Sequence, residues 1–193
     1  MKHSRIVALV TTTTLLVMLA ALALAVPDGV RNGDPDKDKH KDKSRSLRAR
    51  LKGVEENPVI LTGARGEFKA TISSDDSSIE YELSYQNLEG AVTQGHIHIA
   101  QKGVNGGISV WLCGTPAAPG PAGTPTCGAT GASGTITAAT VIGPAGQGVA
   151  VGEFDELVRA IRRGLTYANV HSTLAPGGEI RGQIRVRGDD DDD

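Results

Sequence analysis

The sequence is poor in aromatic residues and in cysteine, and it has no excess of positive charge. Aromatic side chains make up 3% of its 193 residues, there are two cysteines, and the formal net charge is −2. A general nucleic-acid-binding protein needs a basic surface to neutralise phosphates, so the net charge argues against that class. The hydrophobic content of 39% is too high for a wholly disordered chain, and 25 glycines are too many for a helical bundle.

Catalytic motifs are also missing from the sequence. The serines lie in no Gly-x-Ser-x-Gly turn, and no ordered set of serine, histidine and aspartate stands out. Residues 103–107 are rich in glycine, but they lie between two predicted strands rather than before a helix. They therefore favour a hairpin turn over a phosphate-binding loop. We expect a protein that is not an enzyme.

The first 25 residues have the pattern of a secretory signal peptide. Lys2 and Arg5 precede an uncharged, mostly apolar run, and residues 23–25 fit the small-x-small rule for cleavage. The run of about 20 residues could also span a bilayer, so a retained membrane anchor is the alternative. In both cases we expect the rest of the chain outside the cytoplasm, with no membrane attachment unless this segment is retained.

Charged segments flank the central part of the chain. Residues 26–46 include a run of aspartate and lysine with nothing apolar to bury, which predicts a solvated linker. His40 lies in this run and is expected to be an exposed polar residue rather than a metal ligand. Residues 188–193 end in five aspartates and predict an acidic tail. Weak calcium binding by this tail is possible but unspecific, because a flexible segment has no preformed cage.

The domain between these segments, residues 47–187, alternates polar and apolar residues as strands with one buried face do. Eight strands are predicted, at residues 47–52, 67–72, 79–85, 96–100, 108–112, 134–141, 167–173 and 179–186. Turn residues at 75–77 and 176–178 should join two pairs of these strands as hairpins. The pattern predicts an all-β fold, an antiparallel β-sandwich or barrel of about eight strands.

One segment, residues 153–164, departs from this alternation. Four apolar residues recur at helical spacing, acidic residues fill the first turn, arginines fill the last, and Gly164 follows as a stop. This predicts one short amphipathic helix. The acids at its start are better explained by the helix dipole than by acid–base chemistry.

Cys113 and Cys127 are expected to form a disulfide, because an exported chain meets an oxidising compartment. The bridge would close a 15-residue loop, which is worth about 3 kcal/mol in the chain-entropy model. Two free thiols or two metal ligands are the alternatives. Trp111 should lie on the outer face of its strand. Packing under the loop after Cys113 is the favoured role for it, and an anchor for a partner is the other.

Three stretches together resemble the CHRD domain, a repeat first named in chordin and also found singly in exported microbial proteins. They are Gly-His-Ile-His-Ile-Ala at 95–100, Gly-Pro-Ala-Gly-Gln-Gly at 143–148 before the helix, and Tyr-Ala-Asn-Val-His-Ser at 167–172 followed by residues 176–184. The resemblance covers residues 47–187. It implies an extracellular all-β module with no established catalytic activity. The partner, an extracellular protein or surface component, stays unknown.

Strand alternation places several polar residues on common faces. His96 and His98 share a face of one strand, and Asn169 and His171 share a face of another. A third set sits on the last predicted strand: Glu179, Arg181 and Gln183. If the three strands are neighbours, these side chains converge.

Such a convergence has two main interpretations. Three imidazoles from His96, His98 and His171 would suit zinc or copper and leave a coordination position open. Alternatively the histidines belong to a satisfied structural network with Glu179 and Arg181. Direct contact with a ligand or partner is a third option. Copper–zinc superoxide dismutase is also an exported β-sandwich with a His-x-His strand, but its two metals need more histidines than the three of this domain.

Overall fold

A computed structural model describes residues 45–187 of the chain. The predicted signal peptide, most of the linker including His40, and the acidic tail lie outside the described residues. Within the described part, no helix combines the length and apolar character needed to cross a membrane.

The domain is built from nine strands and one α-helix. In chain order they are β1 (Ser46–Lys52), β2 (Arg65–Ile72), β3 (Ile79–Gln86), β4 (Val92–Ile99), β5 (Gly107–Gly114), β6 (Gly131–Ile136), α1 (Phe154–Arg162), β7 (Thr166–Ser172), β8 (Ile180–Gln183) and β9 (Arg185–Val186). Short 3-10 helices occur at Gly53–Glu55, Ala138–Thr140 and Ala145–Gln147. All strand pairs are antiparallel, in the order β5-β4-β7-β8-β1-β2-β3-β6, with β9 beside β1.

This sheet curls into a nearly closed barrel. The hydroxyl of Tyr81 on β3 donates to the carbonyl of Leu112 on β5 at 2.6 Å, so strands from the two ends of the sheet order meet. The interior holds one apolar core, in which Phe68, Leu83 and Ile97 are among the fully buried side chains. The predicted antiparallel all-β fold is confirmed.

The predicted disulfide between Cys113 and Cys127 is also present, with Cα atoms 4.9 Å apart. It connects the end of β5 to the segment that leads into β6. Two backbone hydrogen bonds support the same junction, from Gly114 to Pro125 and from Cys127 to Gly114. Because β5 and β6 are the end strands of the sheet order, the bridge fastens the barrel where it would otherwise open.

Helix α1 follows the predicted amphipathic pattern. Phe154, Leu157, Val158 and Ile161 are buried and belong to the core. Arg162 bonds Asp76 in the β2–β3 turn at 2.8 Å, which places the helix at that end of the barrel. The arginine-rich last turn of the helix therefore lies beside the β2–β3 turn.

Two strand predictions were wrong in their extent. The strand predicted at 134–141 is β6 at Gly131–Ile136, and a 3-10 turn replaces its second half because the Thr140 hydroxyl bonds both the amide and the carbonyl of Thr137. The strand predicted at 179–186 divides into β8, which pairs with β7, and β9, which pairs with β1. Between them, the amide of Ile184 donates to Thr166 and its side chain enters the core.

Candidate metal centre

Strands β4 and β7 are buried on both faces. Alternation sends Ile97, Ala168 and Val170 into the barrel core. His96 and His171, on the opposite face, are 1% and 6% exposed. A polar layer therefore lies outside the sheet and is nevertheless shielded from water.

The register of the sheet brings the predicted polar face together. In the β4–β7 pair, His96 lies opposite Asn169 and His98 lies opposite Tyr167. Across β7, Asn169 lies opposite Arg181 of β8. Register shifts flank His96 and His98 in the β4–β5 pair, and one shift in the β4–β7 pair lies between Val92 and Gln94, just before the continuous pairing of residues 94–99 with β7. The alternation that predicted this face is therefore intact where it matters.

Two loops cover this polar face. Asn57, in the segment between β1 and β2, donates to the carbonyl of Gly103 at 3.0 Å, and Asn105 donates back to the carbonyl of Asn57 at 2.9 Å. Arg181 reaches from the sheet to both loops, donating to the carbonyl of Glu55 and, at 2.8 Å, to the side chain of Asn105. The loops are thus fastened to each other and to the sheet.

The hydrogen bonds of the histidines assign their protons. Nδ1 of His98 lies 3.0 Å from the carbonyl of Gly106, and Nδ1 of His171 lies 3.0 Å from the carbonyl of Pro176. A carbonyl only accepts, so both Nδ1 atoms carry hydrogen and both Nε2 atoms carry lone pairs. His96 Nδ1 is 3.1 Å from His171 Nε2 and must donate to it.

This assignment leaves lone pairs without partners. Nε2 of His96 and Nε2 of His98 are buried and have no hydrogen-bond partner in the described part of the chain. Leaving a buried acceptor unsatisfied costs about 1–3 kcal/mol. The cluster is therefore an incomplete polar network.

Burial keeps the three imidazoles neutral. It lowers the pKa of His96 to about 2, with the neighbouring His171 and His98 adding to the effect. It lowers the pKa of His98 to about 4 against the opposing bond to Gly106, and it lowers the pKa of His171 as well. Neutral imidazole is the form that binds metal ions.

Aromatic rings enclose the cluster. Trp111 packs edge-on against His96 with centroids 4.3 Å apart, and Tyr167 stacks on His98 at 4.8 Å. The guanidinium of Arg181 lies 4.9 Å from the Tyr167 centroid. Trp111 also lies beneath the disulfide loop, since a Cβ on Gly120 would fall 2.8 Å from its ring. The expected place of Trp111 on the outer face is confirmed, and its contact with His96 was not foreseen.

Glu56 belongs to this layer and was missed from the sequence. It accepts a hydrogen bond from Asn169 at 2.6 Å and lies 3.8 Å from Arg181. Burial raises its pKa to about 7, although Arg181 and Asn169 both act in the opposite direction. Glu56 lies in a connection without periodicity, so no pattern in the sequence marked it.

Two of the predicted polar residues point elsewhere. Glu179 precedes β8 and accepts hydrogen bonds from the hydroxyl of Thr62 and the amide of Glu89. Gln183 donates to the carbonyls of Ala100 and Gly164, which ties β8 to the turn after β4 and to the end of the helix. Both residues hold connections in place rather than contacting the histidines.

The three histidines can supply a metal ion with ligands. Their candidate ligand atoms lie within 4.8 Å of one another. Zn–N bonds of about 2.0 Å in tetrahedral geometry place ligand nitrogens about 3.3 Å apart. The 3.1 Å contact between His96 Nδ1 and His171 Nε2 is a hydrogen bond donated by His96, so a metal ion that used Nε2 of His171 would replace it. The widest pair, up to 4.8 Å apart, must close by about 1.5 Å when the ion binds.

These observations define a disulfide-bonded antiparallel β-barrel module with a buried three-histidine cluster. The family model for the CHRD domain matches residues 47–184. The chain therefore belongs to the CHRD family, as the resemblance predicted, and this family is not a known enzyme family. No curated protein and no solved structure shows significant similarity to the chain.

Proposed function

We propose that this protein is an exported, non-enzymatic CHRD module that binds one transition-metal ion, zinc or copper, through His96, His98 and His171. One observation carries the proposal: three buried neutral imidazoles converge while two of their lone pairs have no partner. A metal ion would use the unsatisfied Nε2 lone pairs of His96 and His98 and would take that of His171 in place of its hydrogen bond from His96.

The surroundings of the cluster support the same function. His98 and His171 each donate Nδ1–H to a backbone carbonyl, which is the usual way proteins orient metal-binding imidazoles. Neutral side chains at ordinary pH also let a cation bind without displacing protons. The ligand set of three imidazoles suits zinc or copper and leaves a position for water or an outside ligand.

Export is supported by two independent features. The disulfide between Cys113 and Cys127 is of a kind that persists in oxidising compartments. The first 25 residues have the charge and hydropathy pattern of a signal peptide. A polar network without metal, in which the histidines only support the two loops, is the competing function.

The test is metal binding by the purified, untagged chain. We expect about one zinc or copper per chain by elemental analysis after dialysis against each ion. Trp111 is the single tryptophan and touches His96, so Cu²⁺ should quench its fluorescence and saturate at one equivalent. Mass spectrometry of the secreted sample reports whether the chain begins at Val26.

Matched variants separate the site from adventitious binding. His98→Gln and His171→Gln keep a polar amide side chain but remove the imidazole ring and its lone pair, and both should abolish stoichiometric binding. His40→Ala, outside the domain, should bind as the parent does. Metal retained by both glutamine variants, or no metal bound by the parent, would overturn the proposal and favour the structural network.

A further inference from the structure

The outer face of β1, β2 and β9 carries a concentration of positive charge that the net charge hides. Seven of the thirteen basic residues between 45 and 187 lie here. We call them the basic face: Arg48, Arg50, Lys52, Arg65, Lys69, Arg185 and Arg187. The β1–β2 and β1–β9 registers place the strand residues among them on one side of the sheet.

Like charges meet directly across these strands. Arg48 lies opposite both Lys69 and Arg185, and Lys52 lies opposite Arg65. Cross-strand pairs of equal charge destabilise a sheet. The repulsion between these side chains is relieved only where negative charge lies close to them.

Three glutamates share this face: Glu67 on β2 lies opposite Arg50, and Glu80 and Glu82 lie on β3, where Glu82 is opposite Lys69. Against the seven cations they leave an excess of four positive charges. Glu67 pairs with Arg48 and, at 2.8 Å, with Lys69. Within the described part of the chain, no carboxylate forms an ion pair with Arg50, Arg185 or Arg187. The requirement is for an extended ligand with several negative charges.

The chain itself contains such a ligand next to this face. The amide of Arg187 donates to the carbonyl of Ser46 at 2.8 Å, so residue 187 sits at the start of β1. Gly188 follows, and then five aspartates. We propose that aspartates 189–193 occupy the basic face of the same molecule.

The reach and local concentration of this segment fit the proposal. Six residues span up to about 20 Å, whereas crossing from β9 over β1 to β2 takes about 10 Å. A ligand joined by one glycine has an effective concentration in the millimolar range. Weak charge pairs that would not hold a free peptide therefore suffice here.

A charge-neutral tail tests this pairing in the full chain. The variant with all five aspartates changed to asparagine should lower Tm by about 4 °C in 10 mM NaCl and by less than about 1 °C in 500 mM NaCl. Substitution by asparagine is preferred to deletion of the tail because it removes the charge and keeps the length of the chain.

A double-mutant cycle locates the contact. In the background Arg50→Gln, Arg185→Gln and Arg187→Gln, neutralising the tail should change Tm by less than about 1 °C. The background Arg159→Gln, Arg162→Gln and Arg163→Gln removes the same charge from α1, and there the full shift should persist. An equal shift in both backgrounds, or no shift in the parent, overturns the proposal. A shift that grows with protein concentration also overturns it, since the tail would then bind a second copy.

Discussion

The two faces of β4 and β7 are equally hidden from water, yet they are built by opposite means. The inner face, with Ile97 and Val170, is apolar and needs only close packing. The outer face, with His96, Asn169 and His171, is polar and is hidden by two loops. Burial alone does not distinguish the faces; the state of their polar atoms does.

The difference shows where function resides in this fold. Apolar burial leaves nothing unsatisfied, whereas each polar atom beneath the loops needs a partner. Asn169 has its partners in Glu56 and the carbonyl of Ile180. Nε2 of His96 and of His98 has none. Within the described residues, buried side-chain atoms of four other residues also lack partners: Ser109, Thr166, Glu179 and Arg181. Stability belongs to the inner face, and the convergence of unsatisfied imidazole lone pairs on the outer face marks the site.

The inner face should be the more costly to break. Ile97 is fully buried, so Ile97→Ala leaves a cavity and should lower the free energy of unfolding by about 3–4 kcal/mol. His98→Gln on the same strand should cost about 1 kcal/mol in the metal-free protein, because it disturbs one hydrogen bond rather than the packing. Urea unfolding with chelator measures both values, and Ile97→Ala should still bind metal. A reversed order of the two costs would contradict the division between the faces.

A change of pH should affect the outer face, because the buried histidines and Glu56 lie there. His96 and His98 have folded-state pKa values of about 2 and about 4, below the unfolded value. The unfolded chain therefore binds more protons there, and this stabilisation is lost as pH falls below about 6.5. His171 acts in the same direction. Glu56 opposes them, because its pKa of about 7 makes the folded state bind a proton that the unfolded state has released.

The sum is destabilisation in acid. With two histidines acting against one glutamate, the unfolded chain binds at least one proton more than the folded protein. The free energy of unfolding therefore falls by about 1 kcal/mol for each pH unit between pH 6.5 and 4.5. Glu56→Gln removes the opposing group and should make this slope steeper. Chemical denaturation of metal-free protein at several pH values tests both statements. A flat profile in the parent would show that the imidazoles are hydrated rather than buried.

The smallest effect should come from the exposed surface. Arg162 and Asp76 form an ion pair at 2.8 Å, but both side chains are more than 40% exposed. Arg162→Gln should therefore cost only about 0.3 kcal/mol, and 0.5 M salt should remove the difference. Thermal unfolding at two salt concentrations measures it. A cost similar to that of Ile97→Ala would mean that the pair helps to position α1.

Much of the fold could be read from local pattern. Alternation in residues 79–85 and 167–173 predicted strands because one side of each strand meets the core, and it correctly placed His96 beside His98. Helix α1 was predicted from the spacing of Phe154, Leu157, Val158 and Ile161. The disulfide followed from two cysteines in a chain with an export signal. These features depend on neighbours in the sequence.

Other features depend on contacts between distant segments, which no local pattern contains. Glu56 joins Asn169 across 113 positions, and Glu179 turns from its strand face toward Thr62 and Glu89. The division of the last predicted strand into β8 and β9 follows from two different pairing partners.

The sequence by itself determined the all-β class, the single helix, the family resemblance and the residues able to form a site. Only the tertiary structure decided that β4, β7 and β8 are neighbours and that loops bury their outer face. It also decided where the charges lie. The net charge of −2 is a sum over the whole chain and does not show that seven cations lie on one face. The chemical groups of the side chains are given by the sequence. Their burial, their convergence and the electric field around them depend on which distant segments fold onto one another.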